Sequence, residues 1–135
     1  MRLLTLLFWS LSLSAVEIRV YPVISYRVLD GDSVEVMLDL GFDLTKKSVV
    51  RLVGINAPEV RGVERDLGLS VKELVEAKLS EGQITCQWLA DDKYGGRFVG
   101  RLLVGEEDLS VYLLSTGKVK EYDGKAVKPT FKEKQ

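Results

Sequence analysis

The chain has 135 residues, of which 46% are hydrophobic and 29% charged, which is the composition of one folded domain. It contains no histidine and one cysteine, which excludes His-based catalytic triads, His-ligated zinc, cysteine clusters and an intrachain disulfide. The 19 basic and 20 acidic residues give a formal net charge of −1, so no overall basic field indicates a polyanionic partner. Any chemistry must therefore use carboxylates, arginines, lysines, tyrosines and a hard metal ion.

Residues 1–15 have the pattern of a secretory signal peptide. Arg2 precedes an apolar run over residues 3–13, which ends in small residues around Ala15. The run is too short to span the hydrocarbon core of a bilayer comfortably. We expect cleavage near Ala15, with the serines just before it as the rival position, and a secreted or periplasmic protein without stable membrane association. An uncleaved anchor or a first strand with an apolar lead-in is the alternative.

The first half of the mature chain predicts a three-stranded antiparallel meander. β-branched and aromatic residues alternate with polar ones in short runs, and Asp and Gly interrupt the runs with turn signals. The predicted strands cover 23–29, 33–38 and 48–54, with a turn at 30–32, a hairpin loop over 41–47 and a loop at 56–59.

The second half changes to a helical period and then returns to strands. Leucines and valines from Leu67 to Leu79 recur at helical spacing, Ser70 and Glu73 suggest a capping box, and Gly82 suits the helix end. Two further strands and a short helix follow. The predicted elements are strands at 84–89 and 97–104, a turn at 91–96, and a helix over 111–116 that Ser110 caps and Gly117 closes.

The order β-β-β-α-β-β-α predicts a mainly β fold, a five-stranded OB-type Greek-key barrel with two to three helices. We assign residues 16–124 to this domain. Residues 125–135 are rich in lysine and are predicted to form a solvated C-terminal tail, with an electrostatic handle for phosphates as the alternative. The lone Cys86 alternates with apolar residues, which predicts a buried strand position.

Four local signals are individually ordinary. The Asp-Gly-Asp sequence at 30–32 is a turn signal, and Glu59 after Pro58 suits a solvated loop. Arg51 lies between apolar residues of a strand and needs a partner, because burial of an unpaired charge is costly. Residues 92–97 read as another turn.

Taken in order, these segments resemble the staphylococcal nuclease (thermonuclease) family, calcium-dependent phosphodiesterases on an OB-type barrel. The resemblance extends from about Val23 to Asp123, and four motifs in the right order are far more specific than any one of them. The matching segments are Asp30-Gly31-Asp32-Ser33, Arg51-Leu52-Val53-Gly54-Ile55-Asn56-Ala57-Pro58-Glu59, Asp92-Lys93-Tyr94-Gly95-Gly96-Arg97, and Leu109-Ser110 with Leu113 and Gly117.

The resemblance implies a role for each matching side chain. Arg51 and Arg97 would clamp the phosphate with bidentate, permanently charged guanidinium groups. Glu59 would be the general base that activates water, and Lys93 and Tyr94 would lie beside the bound nucleotide. Such a site performs phosphodiester hydrolysis without histidine.

The resemblance also implies one Ca²⁺ ion, held by Asp32, the side chain of Asn56 and the backbone carbonyl of Ala57. Asn56 stands where the best-known members have Asp, so the site loses one negative charge. We expect this loss to weaken calcium binding about tenfold or more, roughly 1.4 kcal/mol or above.

A second departure is the extra glycine, Gly96, before Arg97. The residues after Arg97 fit the family pattern, so we place the insertion in the turn and keep Arg97 as the clamp, with Arg101 as the alternative.

The sequence therefore predicts a monomeric, calcium-dependent nuclease that hydrolyses phosphodiester bonds of DNA or RNA with low sequence specificity. A catalytically weakened OB-fold module that binds nucleic acid is the alternative, followed by an enzyme for another anionic substrate.

Overall fold

The structure, a computed structural model, describes residues 18–131. The predicted signal peptide, residues 1–15, lies outside this range, as do the last four residues of the predicted tail. Across 18–131, neither α-helix has the length and apolar character needed to cross a membrane.

Five long strands form the body of the fold. Burial alternates along β6, where Phe98 and Leu102 are buried and Val99 and Arg101 are half-buried. The strands are β1 (Arg19–Asp30), β2 (Ser33–Gly41), β3 (Leu44–Leu52), β5 (Ile84–Asp91) and β6 (Arg97–Val104). The remaining elements are β4 (Ile55–Asn56), a 3₁₀ turn (Gly62–Glu64), α1 (Arg65–Leu79), β7 (Glu107–Asp108), α2 (Leu109–Ser115) and β8 (Lys120–Glu121).

The five long strands close into a barrel. β1, β2 and β3 form the predicted antiparallel meander, and β5 pairs with β1 on one side and β6 on the other. A parallel pairing of β3 with β6, from Val49–Arg97 to Leu52–Gly100, completes the circuit. The mainly β, five-stranded OB-type barrel with two α-helices is therefore confirmed.

The core fills the barrel and continues under α1 and α2. Cys86 is completely buried in β5, as predicted, and burial raises the pKa of its thiol to about 12. A thiol in this environment stays protonated and unreactive at neutral pH.

The N-termini of both helices differ from the prediction. α1 begins at Arg65, so Ser70 lies inside the helix and does not cap it. The chain enters α1 through the preceding 3₁₀ turn, a tertiary arrangement that the apolar spacing does not reveal. α2 is capped by Asp108, whose carboxylate accepts hydrogen bonds from the backbone N–H groups of Ser110 and Val111. Ser110 itself is buried in the first turn.

The hairpin between β2 and β3 is tighter than the predicted loop over 41–47. Only Phe42 and Asp43 lie outside the strands, both with left-handed backbone angles (φ 54° and 60°). Two left-handed residues are what a two-residue hairpin turn requires. Neither residue type signals such a turn as strongly as Asn-Gly, which explains the overestimated loop length.

Candidate functional site

The site begins at the Asp-Gly-Asp turn between β1 and β2. Asp32 is almost completely buried, and its carboxylate accepts hydrogen bonds from the Ser33 hydroxyl (3.1 Å) and the Ala57 backbone N–H (2.9 Å). Its backbone carbonyl accepts from the Leu52 N–H at 2.8 Å. Asp32 thereby connects the first turn to the end of β3 and to the loop after β4.

Arg51 lies opposite Ser33 in the β2–β3 register. The neighbouring Asp32 is the partner that a charged residue at this strand position requires. Its Nη2 is 3.4 Å from the nearer carboxylate oxygen of Asp32, in an ion pair whose side chains are only 14% and 11% exposed. Nη1 also donates to the Leu52 carbonyl (3.0 Å) and Nη2 to the Ile55 carbonyl (2.8 Å). The guanidinium therefore stabilises the conformation of the loop from Leu52 to Ile55.

Two glycines let these segments approach each other closely. A Cβ atom on Gly31 would lie 2.5 Å from Val71 of α1 and 2.7 Å from the Ala57 side chain. A Cβ atom on Gly68 would lie 2.1 Å from the backbone carbonyl of Glu59. Real Cβ atoms do not tolerate such distances, so α1 packs directly against the segments that carry Asp32 and Glu59.

Glu59 lies on the exposed loop before α1. Its backbone N–H donates to the Glu64 carboxylate at 3.0 Å, and its own side chain is 59% exposed. The ammonium group of Lys128 lies 4.0 Å from Glu59 Oε1. The predicted general base is therefore held through its backbone while its carboxylate faces solvent.

A pocket of about 290 Å³ lies beside Arg51, between the β5–β6 turn and the segment after β8. Tyr122 enters it because its backbone N–H donates to the Gly54 carbonyl at 2.9 Å, next to the β4–β8 pairing. The predicted site residues that line the pocket are Arg51, Lys93, Tyr94 and Arg97, together with Tyr122 and Lys128. The pocket thus collects two arginines, two lysines and two tyrosines, with Asp92 and Asp123 as its acidic members.

Tyr94 and Arg97 form the wall of the pocket on the barrel side. The Arg97 guanidinium carbon and the Lys93 ammonium nitrogen each lie 5.3 Å from the centre of the exposed Tyr94 ring. Arg97 Nε is 2.9 Å from Asp92 Oδ2, an ion pair whose angle falls outside hydrogen-bond geometry. Asp92 therefore restrains Arg97 without using all its N–H donors.

The extra glycine lies in the β5–β6 turn, as predicted. Gly96 has a left-handed backbone (φ 76°), and its carbonyl accepts from the Val49 N–H across the β3–β6 pairing. Arg97 is consequently the first residue of β6 and lines the pocket. Arg101 lies outside the pocket, with Nη1 2.9 Å from an Asp108 carboxylate oxygen. Of the two arginines, Arg97 is therefore the one that lines the pocket.

Asn56 offers an acceptor to a hard cation. Its side chain is buried, and Nδ2 donates to the Pro129 carbonyl at 3.3 Å, which leaves Oδ1 without a hydrogen-bond partner among residues 18–131. Ala57 is the next residue and contacts the Asp32 carboxylate. No group of three or more Asp, Glu, His or Cys side chains converges on a metal position within the described chain. The Asp32 carboxylate, the free Asn56 amide oxygen and the Ala57 carbonyl are oxygen donors of the kind that a hard cation accepts.

The segment after β8 packs against the site instead of extending fully into solvent. Besides the Pro129–Asn56 contact, the Phe131 N–H donates to the Glu64 carboxylate at 3.0 Å, and the Phe131 ring lies 4.8 Å from the Lys120 ammonium nitrogen. Residues 125–128 and Thr130 are exposed, whereas Pro129 and Phe131 are half-buried. Both hydrogen bonds join the backbone of this segment to side chains of the domain, Asn56 and Glu64.

Three residues of the site were not predicted from the sequence. Asp92, which restrains Arg97, stands inside the recognised motif and could have been identified there as the partner of a half-buried arginine. Glu64 links two distant backbone N–H groups, and Lys128 reaches the pocket only through the path of the last segment. No local pattern marks Glu64, whereas Lys128 belongs to the lysine-rich segment for which a phosphate handle is the alternative prediction.

A comparison with models of protein families identifies the family to which the chain belongs. The family model described as staphylococcal nuclease homologue matches residues 49–135, more than half of the chain, so the chain belongs to this family. Members are in general nucleases or phosphodiesterases and typically depend on Ca²⁺. No curated protein matches the chain at a significant level. The matched range includes the segments of Arg51, Glu59 and Arg97 but begins after the Asp30–Ser33 turn.

The carboxyl group of Asp30 makes the folding stability depend on pH. Burial, followed by the neighbouring charge of Asp32 and a smaller contribution from Glu59, raises the pKa of Asp30 from 3.8 to about 7. The unfolded chain releases this proton near pH 4, whereas the folded chain keeps it until about pH 7. Asp30 therefore lowers stability progressively between these two pH values and by its full amount above them.

We expect Asp30→Asn to remove this penalty, because the amide oxygen can still accept the hydrogen bond from the Asp32 N–H (3.1 Å). The melting temperature should rise by several degrees at pH 8 and change little at pH 4. Calorimetry of both proteins in chelator across this range provides the measurement. An equal rise at both pH values would contradict the electrostatic explanation.

Proposed function

We propose that this protein is a calcium-dependent nuclease that hydrolyses phosphodiester bonds of single-stranded DNA or RNA with low sequence specificity. The observation that carries the proposal is the pocket in which Arg51 and Arg97 lie together with Tyr94, beside a buried carboxylate and a free amide oxygen. Membership of the nuclease family supports the same conclusion.

The phosphodiester would bind between the two guanidinium groups. Each phosphate oxygen carries part of the negative charge that repels an attacking hydroxide, and the transition state carries one charge more. Arg51 is held rigidly by backbone carbonyls and Arg97 by Asp92, so both donors are oriented before substrate arrives. Preorganised donors stabilise the additional charge without a reorganisation cost.

Glu59 would accept the proton from the attacking water. Its carboxylate is exposed, and Lys128, 4.0 Å away, lines the phosphate pocket. The backbone N–H of Glu59 donates to the Glu64 carboxylate, which fixes the backbone from which the exposed Glu59 side chain extends. A carboxylate at this position performs the proton transfer that histidine performs in many other hydrolases.

Asp32, the Asn56 side chain and the Ala57 carbonyl would hold the one Ca²⁺ ion. When bound, the ion supplies Lewis-acid stabilisation of a phosphoryl oxygen and orients water. Asp32 keeps its ion pair with Arg51, so one carboxylate serves both the cation and the phosphate clamp. We infer weaker calcium binding than a site with two carboxylates would have.

A binding module with reduced catalysis is the second candidate. Two observations favour it: Arg51 donates its Nη groups to backbone carbonyls, and Asn56 is engaged by Pro129. Against it, the exposed carboxylate of Glu59 has no role in a module that only binds nucleic acid, whereas in a nuclease it is the general base.

Cleavage of a single-stranded DNA by the purified protein, with Ca²⁺ and with chelator, tests the main proposal. We expect hydrolysis with Ca²⁺ only, and a loss of kcat of about 100-fold or more in Glu59→Gln, because the amide cannot accept a proton. Glu73→Gln, an exposed carboxylate on α1, is the matched control and should retain full activity. Binding of DNA without metal-dependent cleavage would favour the second candidate.

The two arginines of β6 can be separated by substitution. Arg97→Ala should lower kcat/KM by about 10² to 10³ because a preorganised phosphate donor is lost. Arg101→Ala breaks only the ion pair with Asp108, and we expect little change in kcat/KM. Steady-state kinetics of both variants, after melting curves establish that each is folded, decides between them. A larger catalytic loss at Arg101 would overturn the assignment of the clamp.

We also propose that the protein is exported, on the basis of the signal pattern in residues 1–15. N-terminal sequencing of protein recovered outside the cytoplasm should begin near Val16. Recovery of the intact Met1 N-terminus from the cytoplasmic fraction alone would contradict export.

A further inference from the structure

A second pocket, of about 440 Å³, lies on the other side of Arg97 from the candidate site. It is formed where the beginning of β1 and the first half of β3 meet the β5–β6 hairpin, with Arg19 opposite Trp88 in the β1–β5 register. We call it the Trp88 pocket. The lining residues that matter here are Arg19, Tyr21, Lys46, Lys47, Trp88 and Arg97.

The Trp88 pocket concentrates positive charge in a chain whose formal net charge is −1. Four of its lining residues are basic and only Asp91 is acidic. Lys47 is partly neutralised, since its ammonium nitrogen is 3.4 Å from a Glu35 carboxylate oxygen. Arg19 and Lys46 make no ion pair with any residue between 18 and 131. Both exposed side chains therefore remain available to an anionic ligand.

The Trp88 pocket also contains aromatic side chains. The Trp88 ring is half-buried and packs against the core, which fixes its position, and the Arg19 guanidinium carbon lies 5.8 Å from its centre. Tyr21 is half-buried beside it on β1. The Arg19 guanidinium lies over the Trp88 ring, and such an arginine–aromatic pair is a surface on which unpaired bases stack while the backbone phosphates contact basic side chains.

Arg97 connects the two pockets because it lines both. A chain whose scissile phosphate contacts Arg97 from the candidate site can continue past this residue without leaving basic surface. We propose that the Trp88 pocket binds the nucleotides of a single-stranded polynucleotide that flank the scissile phosphodiester, with Trp88 as a stacking platform and Lys46 and Arg19 as phosphate contacts. The proposal rests on the proposed function and adds a substrate-length preference to it.

Fluorescence anisotropy with labelled oligothymidylates of two and twelve nucleotides, in chelator to prevent cleavage, tests the proposal. We expect the full-length protein to bind the twelve-nucleotide probe at least tenfold more tightly than the dinucleotide. Lys46→Glu should weaken binding of the longer probe about tenfold, lower its salt dependence by about one phosphate contact and leave the dinucleotide unaffected. Trp88→Leu should weaken the longer probe about tenfold or more through lost stacking.

Lys118→Glu is the matched control, since it makes the same charge change at an exposed position outside both pockets. An effect of Lys46→Glu no larger than that of Lys118→Glu would overturn the proposal. Equal competition by inorganic polyphosphate would also overturn it, because polyphosphate has no bases to stack on Trp88. If Lys46 strengthens binding of the longer probe in a protein that shows no metal-dependent cleavage, this inference holds and the catalytic proposal fails.

Discussion

The ion pair between Asp32 and Arg51 is the interaction on which the site depends. A buried carboxylate and a buried guanidinium are each costly alone, and each becomes acceptable here because the other and several backbone groups surround it. Their bonds connect the β1–β2 turn, the end of β3 and the loop at Ala57. The same two side chains are the proposed cation ligand and phosphate clamp, so the contacts that stabilise the loops also orient the functional groups.

The distribution of charge explains how a nearly neutral protein could act on a polyanion. Basic side chains collect on both sides of Arg97, in the candidate site and in the Trp88 pocket, while the acidic turn at Asp30 and Asp32 lies next to the first of them. Local potentials of this kind do not require a net positive charge. The pKa of Asp30 is raised first by its burial and then by the neighbouring charge of Asp32, and a bound cation would offset this cost.

The chain after β8 belongs to the site in space although it is distant in sequence. It delivers Tyr122 and Lys128 to the first pocket, and Pro129 occupies one side of the Asn56 amide. Glu64 ties this segment to the loop of Glu59 by accepting a backbone hydrogen bond from each. The position of the proposed general base is consequently coupled to the path of the last residues of the domain.

Alternating apolar runs and short motifs are local properties, so the sequence was enough to predict the family, the order of the main elements along the chain and the five-stranded barrel. It also located Cys86 in the core and the extra glycine in a turn. Tertiary structure alone decided the rest: which of Arg97 and Arg101 lies in the pocket, and how Lys128 and Glu64 reach the site. It alone brought Arg19, Lys46 and Trp88 together, since they lie on three strands that meet only when the barrel closes. Barrel closure depends on pairing between segments that are distant in sequence. No local pattern shows which side chains become neighbours when these segments pair.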